Sequence, residues 1–337
     1  RETFKKTDRG TIKKKYRLWL AAIAAAVILG GCSDRAQKEM LKSYEVSYGM
    51  DEVLSSPSGN SGKADFFAEN LCVVESEDAF TDDLINAGAA IIFNRTDREV
   101  VFSNDAYTRL YPASITKLMT VLVALENGNL EDTIQITDEM LTGLEGTSLA
   151  GIQSGETYTL EQLLYGALLP SGNDAATAIA WLVGGGSVDN FVSMMNDTAA
   201  SLGATGTHFM NPHGLSDDNH YTTAYDIYLI MNRLLDYEQF TQIISTSSYT
   251  AEYTDADGNP AERVFSTTVR YVSGDTEAPE GVTVLGGKTG TTTPAGSCLA
   301  LVSTDGEGDQ YISVILKADN RDSLYEQMDE LLTKILK

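Results

Sequence analysis

Runs rich in β-branched and aromatic residues stand near both ends of the chain, and the stretch between them reads mostly as helix. AAIIFNR (89–95) and EVVFSN (99–104) flank a short charged turn around Thr96 and Asp97, the pattern of a hairpin. Far downstream, VTVLGGKTGTT (282–292), SCLALVST (297–304) and YISVILKA (311–318) read as three more strands, the last two joined by DGEGDQ. RDSLYEQMDELLTKILK then closes the chain as an amphipathic helix. Between residues 133 and 236 the apolar residues recur mainly at helical spacing. Thr159-x-x-Gln162 forms a capping box ahead of TLEQLLYGALL, DNFVSMMNDTAASLG ends on Gly203, and TTAYDIYLIMNRLLDY is strongly amphipathic. The N-terminal strands are therefore expected to complete a sheet begun by the C-terminal ones. The fold class that follows is α+β: an antiparallel sheet flanked by helices, with a mainly helical second lobe.

The first 31 residues hold eight Lys/Arg against two acids, so a formal charge of −24 for the whole chain becomes −30 for the remainder. A body this acidic repels phosphate backbones, which argues against nucleic acid as a partner. The basic run leads into LWLAAIAAAVIL, twelve apolar residues from Leu18 to Leu29, too short to span a bilayer comfortably. GGCSD follows, and it resembles the lipobox of bacterial lipoprotein signal peptides, although Gly30 is a less typical occupant of its place. That resemblance implies a signal peptide over 1–31, cleavage before Cys32, and a lipid on the Cys32 sulfur that holds the protein to a membrane. Residues 32–78 are polar, with SSPSGNSGK a Ser/Gly/Pro patch, and read as a flexible tether; 79–337 is the expected catalytic body. Cys72 and Cys298 could pair in an exported protein, but Cys298 lies in apolar SCLALV, where a buried thiol is equally natural.

PASITKLMT (112–120) puts Ser114 and Lys117 three positions apart in an otherwise apolar run with Pro112 at its start and Gly128 as its stop. On a helix, i and i+3 lie one above the other, so the two side chains are within reach of each other. Pro170 is expected to end the preceding helix so that Ser171 and Asn173 of SGN project from a loop. Lys288-Thr289-Gly290 sits in a late strand, where Gly290 lets another backbone approach closely. Each motif alone is common. Together, and in this order, Ser-x-x-Lys, Ser-x-Asn and Lys-Thr-Gly match the set found in class A β-lactamases and penicillin-binding proteins.

The text around the motifs, RLYPASITKLMT, LLYGALLPSGNDAA, FMNPHGLSDDNHYTTAYDI and GGKTGTTTPAGSCLA, resembles the low-molecular-mass penicillin-binding proteins that act as serine D-alanyl-D-alanine carboxypeptidases. The resemblance covers roughly residues 80–337 and implies a β-lactamase/transpeptidase-like fold. It also implies removal of the terminal D-alanine from peptidoglycan stem pentapeptides through an acyl-serine, with β-lactams as inhibitors, on the extracytoplasmic face of a bacterial envelope and without cofactor or metal. Ser114 is the expected nucleophile. Lys117 is the expected base, its pKa lowered by burial and by the neighbouring cation Lys288. The implied roles continue with Ser171 relaying a proton to the leaving amine and Asn173 holding the substrate amide and Lys117. Backbone N–H groups of Ser114 and Thr291 form the oxyanion hole. Lys288, Thr289, Gly290 and Arg321 surround the substrate carboxylate.

Several alternatives remain. A D,D-endopeptidase cutting cross-links shares all three motifs, and 47 residues follow Gly290, without the extra β domain and amphipathic anchor of larger carboxypeptidases. A class A β-lactamase needs a glutamate-held water, yet no glutamate lies between Gln162 and Tyr237, and SGN stands in place of SDN. His208, His213 and His220 cluster in sequence, but their spacing matches no familiar zinc pattern.

Overall fold

Strand β1 (Ala89–Asn94) is buried at every position, and its alternate side chains enter two different cores. The computed structural model describes residues 71–74 and 82–336, all within the unit Asp65–Lys337. The expected signal peptide, Cys32 and most of the expected tether lie outside the described residues.

β1 pairs antiparallel with β2 (Glu99–Asn104) across the expected hairpin. The chain then passes through a 3-10 turn, Ala113–Thr116, into helix α1 (Lys117–Asn127), and Gly128 caps it. Two three-residue strands follow, β3 (Thr133–Gln135) and β4 (Thr157–Thr159). Next come the helices α2 (Leu160–Leu168), α3 (Asn173–Val183), α4 (Val188–Ser201), α5 (Ala224–Leu234) and α6 (Glu238–Ile244). The chain continues into strands β5 (Ser248–Thr254) and β6 (Pro260–Ser266). β7 (Thr283–Thr292), β8 (Gly296–Thr304), β9 (Gln310–Ala318) and helix α7 (Arg321–Thr333) complete the order. The box at α2 forms as expected: the Thr159 hydroxyl accepts from the Gln162 N–H, and the Gln162 side chain accepts from the Thr159 N–H.

The main sheet runs β2-β1-β9-β8-β7 and every pairing is antiparallel. The two ends of the body thus share one sheet, with β1 against β9 in the register Ile91↔Val314. Because side chains alternate faces along a strand, Ile91, Phe93, Ala300, Val302 and Val314 face the helical lobe. Ile92, Leu299, Leu301 and Ile315 face the other way, onto Leu324, Met328 and Leu331 of α7. A sheet covered on both faces reads as near-continuous apolar sequence, which is why β8 and β9 stand out. α1 is buried all round from Lys117 to Ala124, more deeply than the one apolar stripe in its sequence implies, because α2, α3, α4 and α5 enclose it. Full burial of side chains such as Leu118 and Leu122 contributes about 1.5–3 kcal/mol each.

Three features depart from the expectations. A second sheet, β3-β4-β5-β6, lies in the stretch read as helical and just beyond it. It is bound by Arg263 and Glu156, 2.6 Å apart, and by Tyr158 stacked on Tyr253 at 4.7 Å. Asn173 opens helix α3 instead of standing in a loop, since only four residues separate it from Leu168 and its N–H donates to Ser148 O. Residues 71–74, placed in the tether for their surroundings, sit on the body: Cys72 is buried, its N–H donates to Tyr228 Oη at 2.9 Å, and its carbonyl accepts from Tyr225 Oη at 2.8 Å. Cys72 and Cys298 are both free, buried thiols.

Candidate active site

Ser114 sits in the tight turn ahead of α1, and two glycines let other segments close on that turn. Ala113 holds φ +47°, in the left-handed region that costs a non-glycine residue about 1–3 kcal/mol. Gly214, at φ +92°, lies so close that a Cβ there would collide with the Ala113 carbonyl. From the other side, a Cβ on Gly290 would stand 3.0 Å from Ser114 N and from Pro112 O. The close approach expected at Gly290 is therefore the approach of β7 to the serine turn. The strained backbone is held because neither neighbour can retreat without moving a strand or a loop.

Lys117 is the first residue of α1 and is completely buried. Its Nζ lies 3.0 Å from Ser114 Oγ, 2.6 Å from Asn173 Oδ1 and 2.9 Å from His213 O. The last two groups can only accept hydrogen bonds. A neutral amine that donates to both keeps one lone pair, and that lone pair faces the Ser114 hydroxyl. Burial first, and then the positive charge of Lys288, hold the Lys117 pKa well below its ordinary value, while Asp174 opposes the shift.

Lys288, on β7, is also completely buried and donates to Ser171 Oγ and to Thr289 O, both at 2.8 Å. Burial and then the charge of Arg321 lower its pKa to about 7. Ser171, between α2 and α3, is left-handed at φ +64°, a second strained residue at the same site. Thr289 Oγ1 meets Thr268 Oγ1 at 2.6 Å, and Arg321 Nη2 donates to Thr268 O at 3.0 Å. Thr268 is thus the link between Thr289 and Arg321. Thr291 follows Gly290 on the strand edge and is exposed.

The structure brings Ser114, Lys117 and Asn173 into one hydrogen-bonded group and joins Ser171 to Lys288; charge couples the two lysines. Sequence reasoning missed Asp174. Its buried carboxylate accepts from the N–H groups of Ala150 (2.8 Å), Gly151 (2.9 Å), Ile152 (3.1 Å) and Ala175 (2.9 Å). It anchors segment 150–152 beside Asn173, and its oxygens are fully engaged. The sequence signal was an acid in the first turn of an apolar helix, SGNDAA, which reads as a favourable helix charge and nothing more.

The histidines serve this frame. His220 is buried; its Nδ1 accepts from the Met210 N–H at 3.1 Å, which leaves Nε2 to donate to Thr116 Oγ1 at 2.8 Å. Burial pushes its pKa down to about 4 and that of His213 to about 3, so both rings are neutral near pH 7. Among the described residues no group of three or more His, Cys, Asp or Glu side chains is placed to hold a metal ion.

Residues 76–320 match the D-alanyl-D-alanine carboxypeptidase family. The chain is 36% identical over 177 residues to the D-alanyl-D-alanine carboxypeptidase DacF of Bacillus subtilis, covering 50% of this chain and 44% of that protein. To DacA of Escherichia coli it is 35% identical over 185 residues, 49% of this chain and 46% of the relative. The chain thus spans less than half the length of these two relatives. It spans 83% of the D-alanyl-D-alanine carboxypeptidase of Streptomyces sp. strain K15, at 31% identity over 71% of this chain. The crystal structure of the Streptomyces K15 DD-transpeptidase superposes with a TM-score of 0.68 at 30% identity, covering 76% of this chain and 98% of that one. A D-alanyl-D-alanine carboxypeptidase from Mycobacterium tuberculosis gives 0.65 at 27% identity, covering 74% and 90%.

Proposed function

Since this chain belongs to the D-alanyl-D-alanine carboxypeptidase family, we propose that it is a serine D,D-carboxypeptidase that removes the terminal D-alanine from peptidoglycan stem pentapeptides. The observation that carries this reading is Lys117 Nζ: buried, held by two pure acceptors, and aimed at Ser114 Oγ from 3.0 Å.

Neutral Lys117 takes the Ser114 proton as Oγ attacks the carbonyl of the penultimate D-alanine. Charge develops on the carbonyl oxygen and is met by the N–H groups of Ser114 and Thr291, whose chain segments are held together at Gly290. Ser171, bonded to Lys288, passes a proton to the leaving amine, while Asn173 positions both Lys117 and the substrate amide. The terminal carboxylate of the substrate fits against Lys288, Thr289 and Arg321, with Thr268 aligning the last two. Water then releases the acyl group and regenerates Ser114. No step calls for a cofactor or nucleic acid. A β-lactam offers the same carbonyl to Ser114 and forms the same ester.

In the same reading the protein works on the outer face of a bacterial membrane, held by lipid on Cys32 after cleavage of residues 1–31. A polar tether then gives the body its reach. The test uses two substrates, a stem pentapeptide and a cross-linked dimer of stems. Stoichiometric D-alanine release from the pentapeptide, faster than any cleavage of the dimer, is the expected result. Faster cleavage of the dimer would reassign the protein as an endopeptidase.

A further inference from the structure

A cavity of about 310 Å³ opens beside the β7–β8 turn, lined by Arg109, Tyr111, Asp218 and Pro294 together with Lys317. Lys317 is presented there by a defect in the sheet. Ser297 pairs with Ala318 and Leu299 with Ile315, so Leu316 and Lys317 together oppose one residue of β8. Lys317 takes a left-handed backbone, φ +61°, within this bulge. Bulges of this kind re-aim a side chain, and they cluster near active sites. Gly88 makes the space: a Cβ there would come within 2.9 Å of Lys317 Cβ. Arg109 rests over the Tyr221 ring at 4.7 Å, a contact that leaves its N–H groups available. Neither cation forms an ion pair with a described residue, whereas Arg95, Arg233, Arg263 and Lys334 all do. Outside the Ser114 site, where Lys117, Lys288 and Arg321 also lack ion pairs, these two cations share one cavity without a described carboxylate within ion-pair distance, although the Arg109 charge also reaches Asp226.

The position of the cavity relative to the site gives it a ligand. In the functional reading above, on which this inference rests, the substrate's terminal carboxylate lies at Thr289 and its scissile carbonyl near Gly290 and Thr291. The rest of the peptide must then run on along β7 toward Thr292, at roughly 3.3 Å per residue. Ser216 Oγ donates to Thr292 Oγ1 at 3.3 Å, so the loop that leads to Asp218 is fastened at that strand end. The residue immediately upstream of the acyl D-alanine therefore arrives beside Thr292, where a long side chain extends toward Pro294 and the cavity. We infer that the Arg109–Lys317 cavity is a specificity subsite that receives a free carboxylate on the side chain of that residue. Asp218, on the same wall, suits an ammonium group beside the carboxylate.

Two pentapeptides that differ only at the end of that side chain, one a carboxylate and the other its primary amide, test the assignment. Wild-type protein is expected to favour the carboxylate in kcat/KM by about 3- to 20-fold, mostly through KM, the range that two exposed ion pairs supply. Lys317→Gln with Arg109→Gln is expected to abolish the preference while leaving the rate of penicillin attachment to Ser114 unchanged, which also shows that the variant is folded. Equal use of both peptides by the wild type, or a preference that survives the double substitution, overturns the subsite. Failure of the wild type to use either peptide or to react with penicillin would instead remove the functional reading, and the subsite with it.

Discussion

Asp174→Asn is nearly isosteric, yet the hydrogen-bond inventory at Asp174 makes it severe. Two N–H groups, from Ala150 and Ala175, point at one carboxylate oxygen, and two more, from Gly151 and Ile152, point at the other. Asparagine supplies a single acceptor oxygen; its NH₂ group must face the second pair of N–H groups, donor against donor. Two backbone N–H groups lose their partner. At about 1–3 kcal/mol for each buried unsatisfied group, the expected loss is about 4 kcal/mol. For a body of this size that lowers Tm by about 8–16 °C. Function changes as well, because Ser148, two residues before the anchored segment, accepts from the Asn173 N–H, and Asn173 Oδ1 holds Lys117. A displacement of about 1 Å at Lys117 is enough to slow acylation roughly 100-fold. The pH profile adds a signed readout. Asp174 raises the proton affinity of Lys117, so removing its charge lets the lysine become neutral at lower pH, and the acid limb of acylation moves down. Thermal unfolding and penicillin acylation across pH measure all three effects. A variant that melts within 2 °C of wild type, or whose acid limb moves upward, would refute this account of Asp174.

Ser114→Ala is expected to abolish both peptide turnover and covalent labelling by penicillin, read by intact-protein mass spectrometry; residual labelling would place the nucleophile elsewhere. Arg321→Gln is expected to move the alkaline limb of kcat/KM upward, because Lys288, whose pKa of about 7 is set by burial and by Arg321, acts as an ammonium that is lost as pH rises. An unmoved limb would separate Lys288 from that limb. Gly290→Ala places a methyl 3.0 Å from Ser114 N and Pro112 O, so acylation should fall about 100-fold with a modest change in Tm; full activity would mean that β7 does not support the serine turn. After penicillin, the ester should outlast the peptide ester by roughly 10²–10⁴-fold, since the acid whose charge reaches Lys117 is bound on both oxygens and offers no free base; timed mass spectrometry decides it, and equal lifetimes would indicate β-lactamase behaviour.

Much of the site is legible in the sequence because its chemistry is local. Ser114 and Lys117 are one turn apart, Lys288 and Thr289 are adjacent, and the main sheet announces itself because its inner strands are covered on both faces. The parts that escape notice act across distance or through the backbone. The third partner of Lys117 is the carbonyl of His213, an atom every residue carries, so no side-chain pattern marks it. Asp174 reaches Ala150 and its neighbours across a loop. β3 and β4 have three residues each, too few to show alternation, and β5 and β6 keep most side chains exposed, so an apolar pattern is missing there.

The placement of β1 between β2 and β9 has a consequence for the order of assembly. A chain emerging N-terminus first presents β1 and β2 early, but that pair is only a hairpin, and isolated hairpins are marginal in water. The strand that covers its other edge is residues 310–318, and the helix that covers its far face is 321–333. Loop-closure entropy is therefore met before most of the sheet can repay it, which makes folding slow and late. Until residues 283–304 are released, the Ser114 turn has no β7 or β8 behind it to hold its strained backbone. The sheet is therefore expected to close, and the Ser114 turn to gain its full support, only after β9 and α7 are available to pack against β1.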